Sequence, residues 1–165
     1  MHIPSRYSRL ATSISVVFLS ALLPIACESD RAVRPDLADL ATQYAAAWSS
    51  QNPDSLASFY SESGALIVNR GTPSVGHAAI RSTAASFMAA FPDMLVRMDS
   101  VVDKGEHVVF HWTWTGTNTG PGGTGRSVRI SGYEDWTLDP TGLILQSDGH
   151  YDDAEYQRQV NPSSP

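Results

Sequence analysis

Residues 94–117 read MLVRMDSVVDKGEHVVFHWTWTGT, and within them the hydrophobic period is two. Alternation over 94–102, the turn Asp103-Lys104-Gly105-Glu106 and alternation again over 107–117 make two antiparallel strands. On the second, Val108, Phe110, Trp112 and Trp114 share one face, while Val109, His111, Thr113 and Thr115 share the other. Large aromatics at period two require a core to cover them.

The pattern continues downstream. A loop over 118–125 holds four glycines and one proline, 126–138 is a long strand, Asp139-Pro140-Thr141-Gly142 is a turn, and 143–151 is a fourth long strand. Upstream the period is 3.6. Leu37, Leu40, Ala41, Tyr44 and Trp48 form one stripe on a helix over 36–50, which Asp36 can cap. Asn52 and Pro53 start a second helix that ends near Ser61, followed by a short strand over 65–68 and a loop at 71–73. A third helix over 78–91 places Ile80, Ala84, Phe87, Met88 and Phe91 on one face, and Pro92-Asp93 stops it. Residues 152–160 suit a last helical turn or two, and 161–165 a disordered tail. Three helices followed by long antiparallel strands predict an α+β domain, its helices packed on one face of a strongly curved antiparallel sheet.

The first 26 residues are of another kind. Arg6 and Arg9 form a basic region, an apolar stretch over 14–23 follows, and Ala26 precedes Cys27, the single cysteine. This is a secretory signal with too short an apolar run for a stable transmembrane helix. A lone thiol after a small residue fits a bacterial lipoprotein signal, in which lipid on Cys27 tethers the mature chain to a membrane of the cell envelope. The position three residues before the cysteine, where that pattern has leucine, holds Pro24. Plain secretion, or cleavage elsewhere, is the alternative. The expected organisation is signal peptide 1–26, anchor cysteine and tether 27–36, domain 37–160 and tail 161–165.

Removing 1–26 leaves 9 basic against 17 acidic residues, a formal charge of −8, and Lys104 is the only lysine. Such a surface disfavours nucleic acid. His107 and His111 sit four apart, about 13 Å on a strand, too far to share a metal ion. The loop at 116–125 has no Lys-Ser/Thr sequel and is no phosphate cradle, and a Gly-x-Ser-x-Gly elbow is absent from the sequence.

Ala47-Trp48, Gly76-His77-Ala78-Ala79-Ile80-Arg81 and Phe91-Pro92-Asp93 resemble, in order, segments of the SnoaL-like polyketide cyclase family of the nuclear-transport-factor-2-like (NTF2-like) superfamily. So do Gly116-Thr117-Asn118-Thr119-Gly120-Pro121, Thr124-Gly125-Arg126, Gly142-Leu143-Ile144, and Tyr151-Asp152 with Gln159. The resemblance implies a cone-shaped single domain, a pocket at its wide end and a homodimer formed through the outer sheet face. In the cyclases an acidic residue and a nearby histidine move protons in an aldol closure without metal or cofactor, so none is expected here. Fold alone does not choose the reaction.

Two groups of protic residues are candidates for catalysis. On the last strand, alternation puts Ile144, Gln146, Asp148, His150 and Asp152 on one face, with Leu143, Leu145, Ser147, Gly149 and Tyr151 on the other. Asp148, His150 and Asp152 together could serve a carbon acid, or that face could be solvent-exposed or a dimer interface. Glu134 shares its face with Val128, Ile130, Trp136 and Leu138. Burial would raise its pKa and suit it to acid–base work. Alternatively, a bulge near Gly132 turns it outward, or Arg129 or Arg97 neutralises it. Tyr44, Trp48, Phe87, Trp112, Trp114 and Trp136 are the expected pocket walls. The sequence thus leaves two functions open: cofactor-free proton transfer, of aldol cyclase or isomerase type, on a small hydrophobic carbonyl compound, and a noncatalytic ligand-binding or dimerisation module at the membrane.

Overall fold

A computed structural model describes residues 35–161. The signal, Cys27, the tether up to residue 34 and the tail from 162 lie outside the described residues. Helix α1 (Leu37–Ser49) is capped by Asp36, whose carboxylate accepts from the amides of Ala38 and Asp39, and it buries Ala41, Tyr44, Ala45, Ala47 and Trp48. Helix α2 (Pro53–Ala57) starts at an Asn52 cap with proline in its first turn. Strand β1 (Tyr60–Val68) and the two-residue β2 (Ser74–Val75) lead into α3 (Gly76–Ala90). Strands β3 (Leu95–Asp103), β4 (Val108–Thr117), β5 (Ser127–Leu138) and β6 (Ile144–Tyr151) follow, and α4 (Asp153–Val160) closes the domain.

The six strands form one sheet in the order β2-β1-β6-β5-β4-β3. Every neighbouring pair is antiparallel except β1 with β6, which run parallel. Register shifts interrupt the β1–β6, β3–β4 and β5–β6 ladders. Such irregularities bend and twist strands, which curves the sheet around the helices. Helix α1 packs against β3, α3 against β1 and α2, and α4 against β5. The core lies between these helices and the inner sheet face, where Val108, Phe110, Trp112, Trp114, Val128, Ile130 and Trp136 are buried.

The α+β expectation and the four long strands hold to within a residue or two. Four features differ. The second helix stops at Ala57 rather than Ser61, because Tyr60 leaves the helix to pair with Ile144 and bury its ring. The first strand therefore begins at Tyr60, and Ser61-Glu62-Ser63-Gly64, polar enough to read as loop, crosses the shift in the ladder. The sheet is mixed rather than purely antiparallel. The last helical turns expected over 152–160 form a full fourth helix, α4, beside the three of the main prediction.

Candidate functional site

Strand β5 alternates without interruption through its pairing with β4, so no bulge at Gly132 turns Glu134 outward. Gly132 has another purpose: a Cβ there would meet Cζ2 of Trp112 at 2.5 Å, so the missing side chain lets the indole lie flat across the strand. Glu134 consequently points inward and is only 6% exposed. Arg97 and Arg129 are both exposed and leave it unneutralised.

Three donors converge on one carboxyl oxygen. Oε2 accepts from the Tyr44 hydroxyl at 2.8 Å, the Trp136 indole at 3.0 Å and the Ser147 hydroxyl at 2.5 Å. The Tyr60 hydroxyl lies 2.7 Å from that of Tyr44. Tyr44 has one proton and gives it to Glu134, so the proton between the phenols belongs to Tyr60. The cluster draws on α1, β1, β5 and β6. Burial is the dominant influence on Glu134 and pushes its carboxyl above the ordinary value, while the hydrogen bonds from Ser147, Trp136 and Tyr44 oppose the rise without cancelling it. Tyr44 and Tyr60 are raised too, first by burial and then by the nearby Glu134 charge.

Glu134 lines a cavity of about 70 Å³ between α1, α3 and the sheet. The other walls are Trp48, Leu66, Val68, Phe87, Met94, Val96, Trp112, Trp114, Gly149 and Tyr151, so the surroundings are almost wholly apolar. A cavity of roughly 150 Å³ admits benzene; this one takes a fragment of a few heavy atoms. Phe87 and Tyr151 are only partly buried and form the walls best able to yield to something larger. Oε1 of Glu134 has no partner among the described residues, yet it is not one of the fully occluded polar atoms, so it opens onto the hollow.

Four of the six expected walls line the cavity: Trp48, Phe87, Trp112 and Trp114. Tyr44 and Trp136 instead lie fully buried behind Glu134 and hold it in place. The other acids are elsewhere. Asp148 and His150 stand on the outer sheet face, His150 Nε2 3.2 Å from Asp148 Oδ1 and its ring 4.9 Å from that of Tyr133. Asp148 pairs across the ladder with Asp135, which His107 approaches at 3.4 Å. Asp152 is not a strand residue: it caps α4, accepting from the Glu155 amide. The register thus separates Asp148, His150 and Asp152 from Glu134. Among the described residues no group of three His, Cys, Asp or Glu side chains is arranged to hold a metal ion.

Sequence reasoning missed Tyr60, Ser147 and Gly149. Ser147 and Gly149 sit on the face assigned to Leu143 and Leu145, yet the two leucines are each 38% exposed, while serine and glycine are buried. The leucines fall off that face because the ladder shifts between Ile144 and Gln146, and Glu134 accounts for the serine and glycine that remain on it. Ser147 donates to Glu134, and a Cβ on Gly149 would touch its Cγ at 3.5 Å. A buried carboxyl makes the inner face polar at this level, which inverts the usual hydrophobic signal.

A curved sheet, helices on its concave side and one carboxyl in an apolar hollow define a small α+β pocket protein. A family model described as a SnoaL-like domain matches residues 41–146, and the chain belongs to that family, with its NTF2-like fold. Among curated proteins no sequence matches. Among solved structures, a hypothetical protein with a ketosteroid isomerase-like fold from Catenulispora acidiphila, in complex with trimethylamine, is 18% identical with a TM-score of 0.68, covering 80% of this chain and 99% of its own. A protein from Jannaschia sp. CCS1, provisionally assigned as a SnoaL-like polyketide cyclase, is 16% identical with a TM-score of 0.65, covering 79% and 98%. TerC, co-crystallised with polyporic acid, is 14% identical with a TM-score of 0.61, covering 74% and 96%. At these identities the likeness concerns the fold.

Proposed function

We propose that this domain binds a small hydrophobic carbonyl compound and exchanges a proton with it through Glu134, in chemistry of the aldol cyclase or isomerase type. The observation that carries this reading is a carboxyl inside an apolar hollow, raised by burial above the ordinary carboxyl value, as acid–base work at such a site requires. Keeping a carboxyl there costs folding free energy, which ligand chemistry would explain. The fold relatives support it by analogy, since one is assigned to the cyclases and another holds polyporic acid.

A second reading is a noncatalytic binding module. It is favoured by the distance in register between Glu134 and the other candidate acids, because Asp148 and His150 are on the opposite sheet face. Native mass spectrometry of the purified domain, followed by turnover assays on cyclic ketones and esters, separates the two. Catalysis predicts turnover lost in Glu134→Gln with ligand binding kept; a retained ligand with no turnover in any assay favours the binding module. The same spectrum reports whether the proposed homodimer forms.

Export and a lipid tether on Cys27 complete the proposal. Cys27→Ser is expected to release the protein from membranes, and unchanged partitioning would rule the anchor out.

A further inference from the structure

The two oxygens of Glu134 are not equivalent. Oε2 receives three hydrogen bonds, from Tyr44, Trp136 and Ser147, and one of these fixes the polarity of the set: an indole N–H can only donate. A proton on Oε2 would therefore face a donor at Trp136. If the carboxyl holds a proton, that proton belongs on Oε1, the oxygen that has no partner among the described residues and opens onto the cavity.

What surrounds the carboxyl decides whether it holds one. Tyr44 on α1, Tyr60 on β1, Trp136 on β5 and Ser147 on β6 touch or adjoin it, and Phe110 on β4 is its cross-strand neighbour. Tyr44 and Tyr60 are the titratable members, and both stay neutral because burial raises them. No cation reaches the carboxyl among the described residues. A carboxylate there would keep its three hydrogen bonds at Oε2 but would have no countercharge, and its Oε1 would face apolar walls, whereas the neutral acid presents one O–H to them.

We infer that Glu134 meets its ligand as a hydrogen-bond donor through Oε1, and that the ligand group entering the cavity is uncharged, apolar and tipped with an acceptor oxygen. This rests on the pocket reading above and narrows it to ketones, enones and similar neutral acceptors over carboxylates and ammonium ions. The polarity of the Oε2 cluster makes the choice, since it commits the proton to the cavity side.

The test uses three probes of nearly equal shape: 2-butanone, propionate and sec-butylammonium, each titrated into the purified protein and followed by NMR, with the Glu134 side-chain carbon labelled with carbon-13. The expected result, at a pH below the observed Glu134 titration, is binding of 2-butanone at least about tenfold tighter than either ion. That binding should weaken as pH rises through the raised Glu134 pKa. Glu134→Gln, whose amide offers an acceptor to the three donors and N–H to the cavity, is expected to keep 2-butanone affinity within about threefold and to lose the pH dependence. Preferred binding of sec-butylammonium, or a carbon-13 titration at the ordinary glutamate value, overturns the inference and leaves the pocket standing. Binding of none of the three overturns the pocket reading as well. Titration of the labelled wild-type carboxyl decides the question even if the variant fails to fold.

Discussion

Glu134 and Asp135 are neighbours in sequence and opposites in circumstance. The first is sealed among three donors on the inner sheet face, and the second shares the outer face with Asp148, His107 and His150 in contact with water. Strand geometry assigns the faces, and burial does the rest. Desolvation raises Glu134 above the ordinary carboxyl value, whereas water screens the outer cluster and keeps each of its ion pairs worth little. Carboxylates and imidazoles in a row therefore say less about a site than one carboxyl that solvent cannot reach.

The contrast can be broken most severely at Trp136, fully buried and a donor to Glu134. Trp136→Ala is expected to cost about 3–5 kcal/mol in urea unfolding, while His150→Ala on the outer face should stay within about 0.5 kcal/mol. Two glycines sharpen the comparison within the inner face. A Cβ on Gly132 runs into the His150 carbonyl oxygen and the Trp112 ring, so Gly132→Ala should cost about 1–3 kcal/mol. On Gly149 the nearest atom would be the Ile67 carbonyl oxygen at 3.3 Å, and Gly149→Ala should cost less than about 1 kcal/mol while shrinking the cavity. Ser147→Ala removes one of three donors to Oε2 and should cost about 1 kcal/mol, with the Glu134 pKa rising further in a carbon-13 titration.

The smallest effect is the pH dependence of stability, and its sign separates the regions. A raised carboxyl keeps in the folded state a proton that the unfolded chain gives up. Its contribution is complete below the ordinary glutamate value and is lost as pH rises through the raised one. Exposed Glu155 behaves the other way. Hydrogen bonds from Arg158 lower it to about 2, so its contribution is present above the ordinary value and lost as pH falls through about 2. Unfolding curves of wild type and Glu134→Gln across pH 4 to 9 should diverge, the variant lacking the decline on the alkaline side.

Much of this was legible in the sequence. Period-two alternation through Val108, Phe110, Trp112 and Trp114 placed the inner face of β4 correctly, and the same rule put Glu134 beside Trp136. The caps at Asp36 and Asn52 appear where side-chain chemistry demanded them. Other parts depend on contacts between distant segments. Tyr60 looks like the end of a helix until its hydroxyl is seen against Tyr44 and its backbone against Ile144. Ile144 and Ser147 are both buried although three residues apart, because the ladder shifts between Thr137 and Leu138, and no local pattern announces such a shift. Alternation put Ser147 and Gly149 on a face with Leu143 and Leu145, and only the buried Glu134 shows why that face needs a serine and a glycine.

If the hollow beneath Trp112 and Trp114 is the ligand site and the outer acidic face is not, a neutral ketone must perturb one and spare the other. Nitrogen-15 NMR of the four tryptophan indole N–H groups during titration with 2-butanone tests this most directly. Saturable shifts are expected at Trp112 and Trp114, with the backbone of Tyr133 and His150 unmoved. Silent indoles, or shifts confined to Tyr133 and His150, would contradict it.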